Sequence, residues 1–585
     1  MRVFRLAFLT LIFIWISTGL VGHAPWKPDE PIHFGIILTY AHHAKTWISW
    51  MIPTLIDEPL FEYLSIFYPV SYWLARALRF CLEWLFPDIH FHDWVRLTQS
   101  FYIFSSCYFL FKTSRLLFEN KNHYYTIILL LGSLGLLIRG HEINPNNGVL
   151  FATSLTFYGL ILFLQRPLKG SLYYFFGIIS VLLFKGLMLG LAFFFTLFIY
   201  VFIYPRKNQL LLFALTLICL IGYTFSSFFF FTHYAPALKN AWIQTQYPFV
   251  ILSPFILKHY IQYIEHFLYY IKLSFWYLLP SLPLAIWTIW HHHQFLRSYQ
   301  LSWWGQFNTH FELFEQRLAL QNHAYLLLIL FNVVYLFLII LLPNTQDLLL
   351  YPLILLCALL ATPALYSLRR GALAALNWFS FMGFTVFAGG LWIIWLSLQK
   401  HWIFPIVLKL MKFQPGYVPQ INWVVFIMAC GISLLWLALI TWLHTAHQKT
   451  LRLGEKAIFL WTGGLTLMWG LLSTLWLSWI DTGKSYARPM HALQRVLTKE
   501  MRRIPLEDHA CVSTRSLGRA QRAMFYYYTG LRGNQDPHHT CDFLLIQKQS
   551  GEFKANLHDG YANLIWQGYR PGDDIERFYL WQKIH

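Results

Sequence analysis

Apolar runs of ~17–25 residues, each long enough to cross the hydrocarbon core of a bilayer, recur along this chain as far as residue 480. Within hydrocarbon every backbone amide must bond inside its own segment, so such runs fold as helices. They lie at 5–23, 100–118, 124–139, 147–164, 172–184, 187–204, 210–231, 269–290, 323–343, 348–368, 373–398, 422–444 and 458–480. The pattern predicts an all-α polytopic membrane protein of about thirteen transmembrane helices. Composition agrees: 12% of the residues are charged, against roughly a quarter in soluble domains.

The net charge of +18 does not indicate nucleic-acid binding, because the cations are spread between the apolar runs. With the N-terminus inside, held there by Arg2 and Arg5, the inner connections carry Lys112/Arg115/Lys121, Arg166/Lys169, Arg206/Lys207, Arg297/Arg317, Arg369/Arg370 and Lys449/Arg452/Lys456. Each is basic, as the positive-inside rule requires. Residues 1–480 form the expected transmembrane unit, with a first outer loop at 24–99, and residues 481–585 fall outside. The loop around Lys400, Lys409 and Lys412 also falls outside, against the rule. The first run is read as a retained helix, since its apolar core exceeds the 7–15 residues usual in a signal peptide.

Two segments need separate readings. Residues 59–86 are apolar, but Glu62, Arg76, Arg79 and Glu83 recur at near-helical spacing, which predicts a helix along the membrane surface. The run 172–204 is too long for one span and has Lys185–Gly186 near its middle. A lysine at the bilayer centre costs about 2.5–3.5 kcal/mol, so the run is expected to turn there, on the same side as Asp29–Glu30.

The last hundred residues are polar. "ARPMHALQRVLTKEMRRI" reads as an amphipathic helix. "ACVST" and "CDFLLIQ" read as strands around the helix "LGRAQRAMFYYYTG", and "NLIWQGY" and "ERFYLWQKI" as closing strands. They predict a small extracytoplasmic α/β accessory domain. Its cysteines, Cys511 and Cys541, are disulfide candidates if the tail faces an oxidising compartment; two separate buried thiols are the alternative.

Four polar features converge on the outer side: Asp29–Glu30; Asp57, Glu58 and Glu62; "RGHEINPNN" with Arg139, His141 and Glu142; and Lys185. Together they suit group transfer from a lipid-linked phosphate. A cation neutralises the leaving phosphate, and a carboxylate accepts the proton of an attacking hydroxyl. Each also has an ordinary reading: acids that keep a loop outside, a solvated His141–Glu142 turn, a snorkelling Lys185. "HHHQFLR" at 291–297 falls inside and reads as a basic helix flank rather than a metal site.

The order of these features resembles the C-type glycosyltransferases. "WKPDEP" after the first span and "PTLIDEPLFEYLSIFYPVSYW" some thirty residues later are similar to the opening of the protein O-mannosyltransferases and the aminoarabinose transferase of lipid A. "LLFKGLMLG" looks like the family's "KG" turn, and "LRRGALAALNWFSF" and the tail resemble a proteobacterial subgroup. The resemblance implies a catalytic Asp29 with Glu30 as partner. It implies substrate-binding roles for Arg139, His141, Glu142 and Lys185, to which the outer loop adds His33, Glu58 and Glu62. It implies a polyprenyl-phosphate sugar donor and a glycolipid, lipid A, polysaccharide or protein acceptor. No obligatory cofactor or metal is expected, and the place is a bacterial inner membrane, with the N-terminus cytoplasmic and the tail periplasmic. The chain departs from the aminoarabinose branch at two phosphate-contacting cations: its arginine after "DE" falls near Ile32 or His33, and its "EKP" lysine on Tyr63. Lys185 or the Lys400–Lys412 loop is expected to supply that charge. Alternative readings are a membrane transporter or flippase of lipid-linked sugars, against which no internal repeat is found, and a polysaccharide polymerase or ligase.

Overall fold

The computed structural model describes residues 2–43, 47–60, 64–118, 122–204, 207–246, 260–302, 311–342, 345–400, 403–415, 417, 419–445, 451–502, 511–536, 541–549, 561–573 and 575–583. The apolar runs are helical. After α1 (Arg2–Ser17) the first loop holds α2 (Glu30–His43), a short hairpin of β1 (Thr54–Leu55) and β2 (Glu58–Pro59), and α3 (Phe67–Leu82). The bundle continues with α4 (Phe91–Leu117), α5 (Asn122–Leu131), α6 (Pro145–Gln165), α7 (Pro167–Lys185), α8 (Leu187–Ile203) and α9 (Lys207–His233). Then follow α10 (Tyr260–Tyr277), α11 (Ser281–Ser302), α12 (Phe311–Ile340), α13 (Tyr351–Ala361), α14 (Arg370–Lys400), α15 (Trp423–Thr445) and α16 (Leu453–Leu472).

This is a polytopic membrane fold. Among the described residues seven helices are long and apolar enough to cross, or nine if each of two bent pairs is one span, with α1 and α8 as shorter apolar helices. This measure does not reproduce the expected thirteen, and breaks in the backbone explain much of the difference. The run 269–290 straddles a 100° bend between α10 and α11, and the run 458–480 a 70° bend after α16. The run 124–139 is interrupted at Gly132–Ser133. Helices α6 and α13 are buried almost throughout and form the centre, whereas α9, α14 and α15 expose apolar side chains around the outside, where lipid is the solvent.

Helices α6 and α7 form a hairpin whose backbones touch. A Cβ on Gly159 would lie 2.2 Å from the Tyr174 amide, and one on Gly170 2.2 Å from the Phe163 backbone. Small residues at these crossings let dispersion contacts replace the hydrophobic drive that is missing in lipid.

Past residue 486 the chain changes to α18 (Ala487–Met501) and a four-stranded sheet, reached through α17 (Leu477–Lys484). The strands β3 (Val512–Ser513), β4 (Phe543–Gln549), β5 (Tyr561–Tyr569) and β6 (Glu576–Lys583) stand in the order β3-β4-β6-β5. Strands β3 and β4 are parallel, joined by α19 (Arg519–Thr529), and β6 runs antiparallel to both its neighbours. Cys511 and Cys541 form a disulfide that ties the starts of the parallel pair, Cα to Cα 5.0 Å. The exposed apolar side of α3 (Trp73, Phe80) fits the surface helix expected there.

Candidate active site

Asp29 stands at the start of α2, its carbonyl accepting the N–H groups of Ile32 (3.0 Å) and His33 (3.2 Å). Its carboxylate is 40% exposed and lies 3.6 Å from Arg139. Arg139 also reaches Glu142 at 3.1 Å and Asp347 at 3.1 Å, so one guanidinium faces three carboxylates. Burial raises the Asp29 carboxyl above its ordinary value, Arg139 pulls it back and Asp347 pushes it up again. Glu142 is pushed up to about 7, first by burial and then by the Glu30 charge, against the pull of Arg139.

Glu30, expected beside Asp29 at the reacting centre, points the other way. Its carboxylate is fully buried, accepting from Arg96 Nε (2.8 Å), the Trp26 N–H (2.8 Å) and the Ile143 N–H (3.1 Å). Arg96, equally buried, continues to Asp93 (2.7 Å) and the His23 carbonyl (3.1 Å). Both Glu30 carboxylate oxygens and all three Arg96 nitrogens have hydrogen-bond partners. This cluster knots the first loop, α4 and the second loop together, and its geometry is that of a positioning group.

Lys185 ends α7 and donates to Asn146 Oδ1 at 3.2 Å. Asn146, in the first turn of α6, belongs to the same "RGHEINPNN" stretch as Arg139. Asn144 caps α6 by accepting the Asn146 N–H (3.0 Å), which fixes the loop between the two cations. Gly186 follows at φ 80°, ψ −161°, a region essentially reserved for glycine, and the chain reverses there into α8. The expected turn and its shared side with Asp29 are both present. His33 is buried with Nδ1 2.9 Å from the Tyr68 hydroxyl. Burial holds its ring down to about 3, opposed by Glu30 and reinforced by Arg139 and Lys185, so a neutral imidazole lies among these charges.

Three other expected ligand residues are occupied by the protein. His141 is buried, with Nδ1 2.6 Å from the Leu137 carbonyl and Nε2 2.6 Å from that of Trp15, and it stacks on Trp469. Glu142 is buried against Arg139. Glu58 pairs with Arg519 (3.2 Å) and Arg522 of α19. Burial would raise the Glu58 carboxyl, but the hydrogen bond and charge of Arg522, joined by Arg519, bring it below its ordinary value. Glu58 thus docks the tail. Glu62 lies outside the described residues. Lys409 and Lys412 are exposed on the helix Phe404–Phe413, whose end abuts Gly572 of the tail.

Sequence reading missed Arg96 and Asp347. Asp93, Arg96 and Gln99 recur every third residue at the start of a span, a polar stripe that signals a bundle-facing cluster. Asp347 sits in "NTQDLLLYP" with no comparable pattern. Among the described residues no group of three or more His, Cys, Asp or Glu gathers as a metal site.

No protein-family model and no curated protein matches the chain. Among solved structures it is similar to ArnT from Cupriavidus metallidurans bound to undecaprenyl phosphate, with TM-score 0.58 and 12% identity over 99% of this chain and 98% of that one. It is equally similar to the apo state of ArnT, over 100% and 98% of the two chains. Bundle and tail together therefore share the fold of ArnT.

Proposed function

We propose that the chain is an integral membrane glycosyltransferase that moves a sugar from a polyprenyl-phosphate donor to an acceptor hydroxyl outside the cytoplasm, with inversion. The acceptor oxygen attacks the anomeric carbon while Asp29 takes its proton. The bond from that carbon to the phosphate oxygen breaks, and the lipid phosphate leaves with the electron pair toward Lys185 and Arg139. The observation that carries this reading is the stretch Arg139–Asn146, a loop running into α6, which touches Asp29 at one end and Lys185 at the other. An exposed carboxylate and two cations thus share one end of the bundle. The similar ArnT chain binds undecaprenyl phosphate, which supports a lipid carrier of that class here.

Glu30 acts here by positioning Asp29, and residues 481–585 act as an accessory periplasmic domain that braces the first loop. The host membrane is a bacterial inner membrane, with the N-terminus cytoplasmic. The sugar is a hexose or pentose, and Ile32, His33 and Tyr63 stand where the aminoarabinose branch carries cations.

The test is transfer by the purified protein from polyprenyl-phosphate sugars extracted from its host. Asp29→Asn is expected to lose at least ~100-fold in kcat, the lower range for a general base, while Lys185→Ala raises the donor KM. Full activity of Asp29→Asn overturns the assignment, and lipid flipping by proteoliposomes without a glycosylated product overturns the transferase.

A further inference from the structure

Helix α3 carries two arginines that neither the charge rule nor the Asp29 site requires. Its start is fixed to the Lys185 end of α7, where the Ile66 N–H donates to Leu183 O (2.9 Å) and Ser65 Oγ to Phe184 O (2.8 Å). The helix therefore begins at the level where a spanning helix ends. One face, Phe67, Tyr68, Ser71, Tyr72 and Ala75, is buried in the protein. Trp73, Phe80 and Trp84 are 57%, 88% and 77% exposed, the aromatic lining of a membrane–water interface.

Between α3, the last turns of α2 and the end of α19 lies a cavity of about 860 Å³. Arg76, Arg79 and Phe80 line one wall, and Tyr526 and Tyr527 of the tail the other. Its remaining titratable lining groups are Glu83, which accepts from Arg79 Nε (3.0 Å) and Nη2 (2.6 Å), His42, edge-on to Tyr526, and the Tyr72 phenol. Arg76 donates to the Tyr72 hydroxyl (3.2 Å) and makes no ion pair among the described residues. Two guanidiniums three residues apart thus face one space, with Glu83 as the one carboxylate among its described lining residues. Planar guanidinium forks match phosphate oxygens two at a time, and the exposed Phe80 sets apolar surface beside them in the cavity wall. The cavity meets α2 at Leu38–His42, about 12–18 Å along the helix from Glu30 at 1.5 Å per residue, so it lies beside the Asp29 site rather than within it.

We propose that this cavity binds the phosphate headgroup of an anionic membrane lipid, Arg76 and Arg79 on the phosphate and the acyl chains leaving past Phe80 and Trp84. Because Tyr526 and Tyr527 of the tail line the cavity, the bound lipid ties the tail to the membrane surface.

The experiment places the full chain in nanodiscs of phosphatidylcholine with a minor share of phosphatidylglycerol and counts retained phosphatidylglycerol by native mass spectrometry after delipidation. Wild type is expected to retain it, Arg76→Gln/Arg79→Gln to lose at least ~5-fold in retention, and Arg76→Lys/Arg79→Lys to keep part of it through charge without the fork. Both side chains are exposed, and Arg76→Gln alone, which leaves the Arg79–Glu83 pair intact, is expected to lose part of the retention as well. Equal retention in wild type and both glutamine variants overturns the proposal. So does displacement of the lipid by inorganic phosphate alone, which would mark an anion site. Transfer activity is not the readout, so this result is independent of the role of Asp29.

Discussion

At the scale of single residues, adjacent Asp29 and Glu30 have opposite environments, and that contrast separates the proposed base from a structural support. Removing one partner of a buried ion pair leaves the other charge uncompensated, at about 3–5 kcal/mol. Arg96→Met is therefore expected to lower the thermal midpoint of the purified protein strongly, whereas Asp29→Asn leaves it near wild type. An unchanged midpoint for Arg96→Met would refute the structural role of the cluster. Glu142 gives a second, pH-dependent contrast. Its carboxyl is raised to about 7, so below that pH it is neutral and Arg139 keeps its charge for Asp29 and an incoming phosphate. Above it, Glu142 ionises and competes for Arg139. Donor KM is expected to rise as pH passes upward through about 7, and Glu142→Gln to flatten that rise; a wild-type-like pH profile in the variant would exclude this coupling. Folding has the matching sign: a carboxyl raised in the folded state loses stability between its ordinary value and about 7, which Glu142→Gln removes. Residue types alone placed acids, a histidine and cations on one side. They did not show that His141 spends both ring nitrogens on backbone carbonyls, because that depends on where Trp15 of α1 passes.

At the scale of elements, the α6–α7 hairpin rests on close backbone approach. Gly159→Leu would drive a side chain into the Tyr174 amide, so the helices must separate and forfeit dispersion contacts along their length. The expected outcome is a lower melting midpoint and loss of transfer together, read by thermal unfolding in detergent and by the transfer assay; retention of both would contradict the packing account. The turn at Lys185–Gly186 was legible because a charge in the middle of an over-long apolar run has few cheap places to go. The bends after Tyr277 and Leu472 were not, because hydropathy sums over a window and is blind to backbone direction. Pro280 and Pro283 in "LLPSLPL" and Ser473–Thr474 in "LLSTLW" are the local marks of these breaks. The tail's strands and helices were readable from alternation and turn residues, but their order β3-β4-β6-β5 is set by tertiary pairing that no local pattern encodes.

At the scale of the whole molecule, the tail and the first loop grip each other at two places on either side of Asp29. Lys27, two residues before Asp29, pairs with Glu576 (3.1 Å) and Asp573 (3.5 Å), and its N–H donates to Lys484 O (3.2 Å). On the far side of α2, Glu58 holds Arg519 and Arg522. The geometry around Asp29 therefore depends on a sheet that begins nearly five hundred residues later in the chain, and this dependence makes a mutational cycle informative. Glu58→Gln and Arg522→Gln are each expected to make the tail more sensitive to limited proteolysis while the helical bundle keeps its melting midpoint. Combined, they should add little to the worse single change, since the second removes a partner already lost. Acid should reproduce the effect in wild type. A carboxylate with a depressed pKa stabilises docking at neutral pH and loses that contribution as pH falls through its folded value, so tail cleavage should rise below the ordinary carboxylate range. In Glu58→Gln this acid limb should shrink. Fully additive proteolysis rates in the double variant, or an acid limb of undiminished size in Glu58→Gln, would show that the tail is held elsewhere and that its sheet does not brace the loop carrying Asp29.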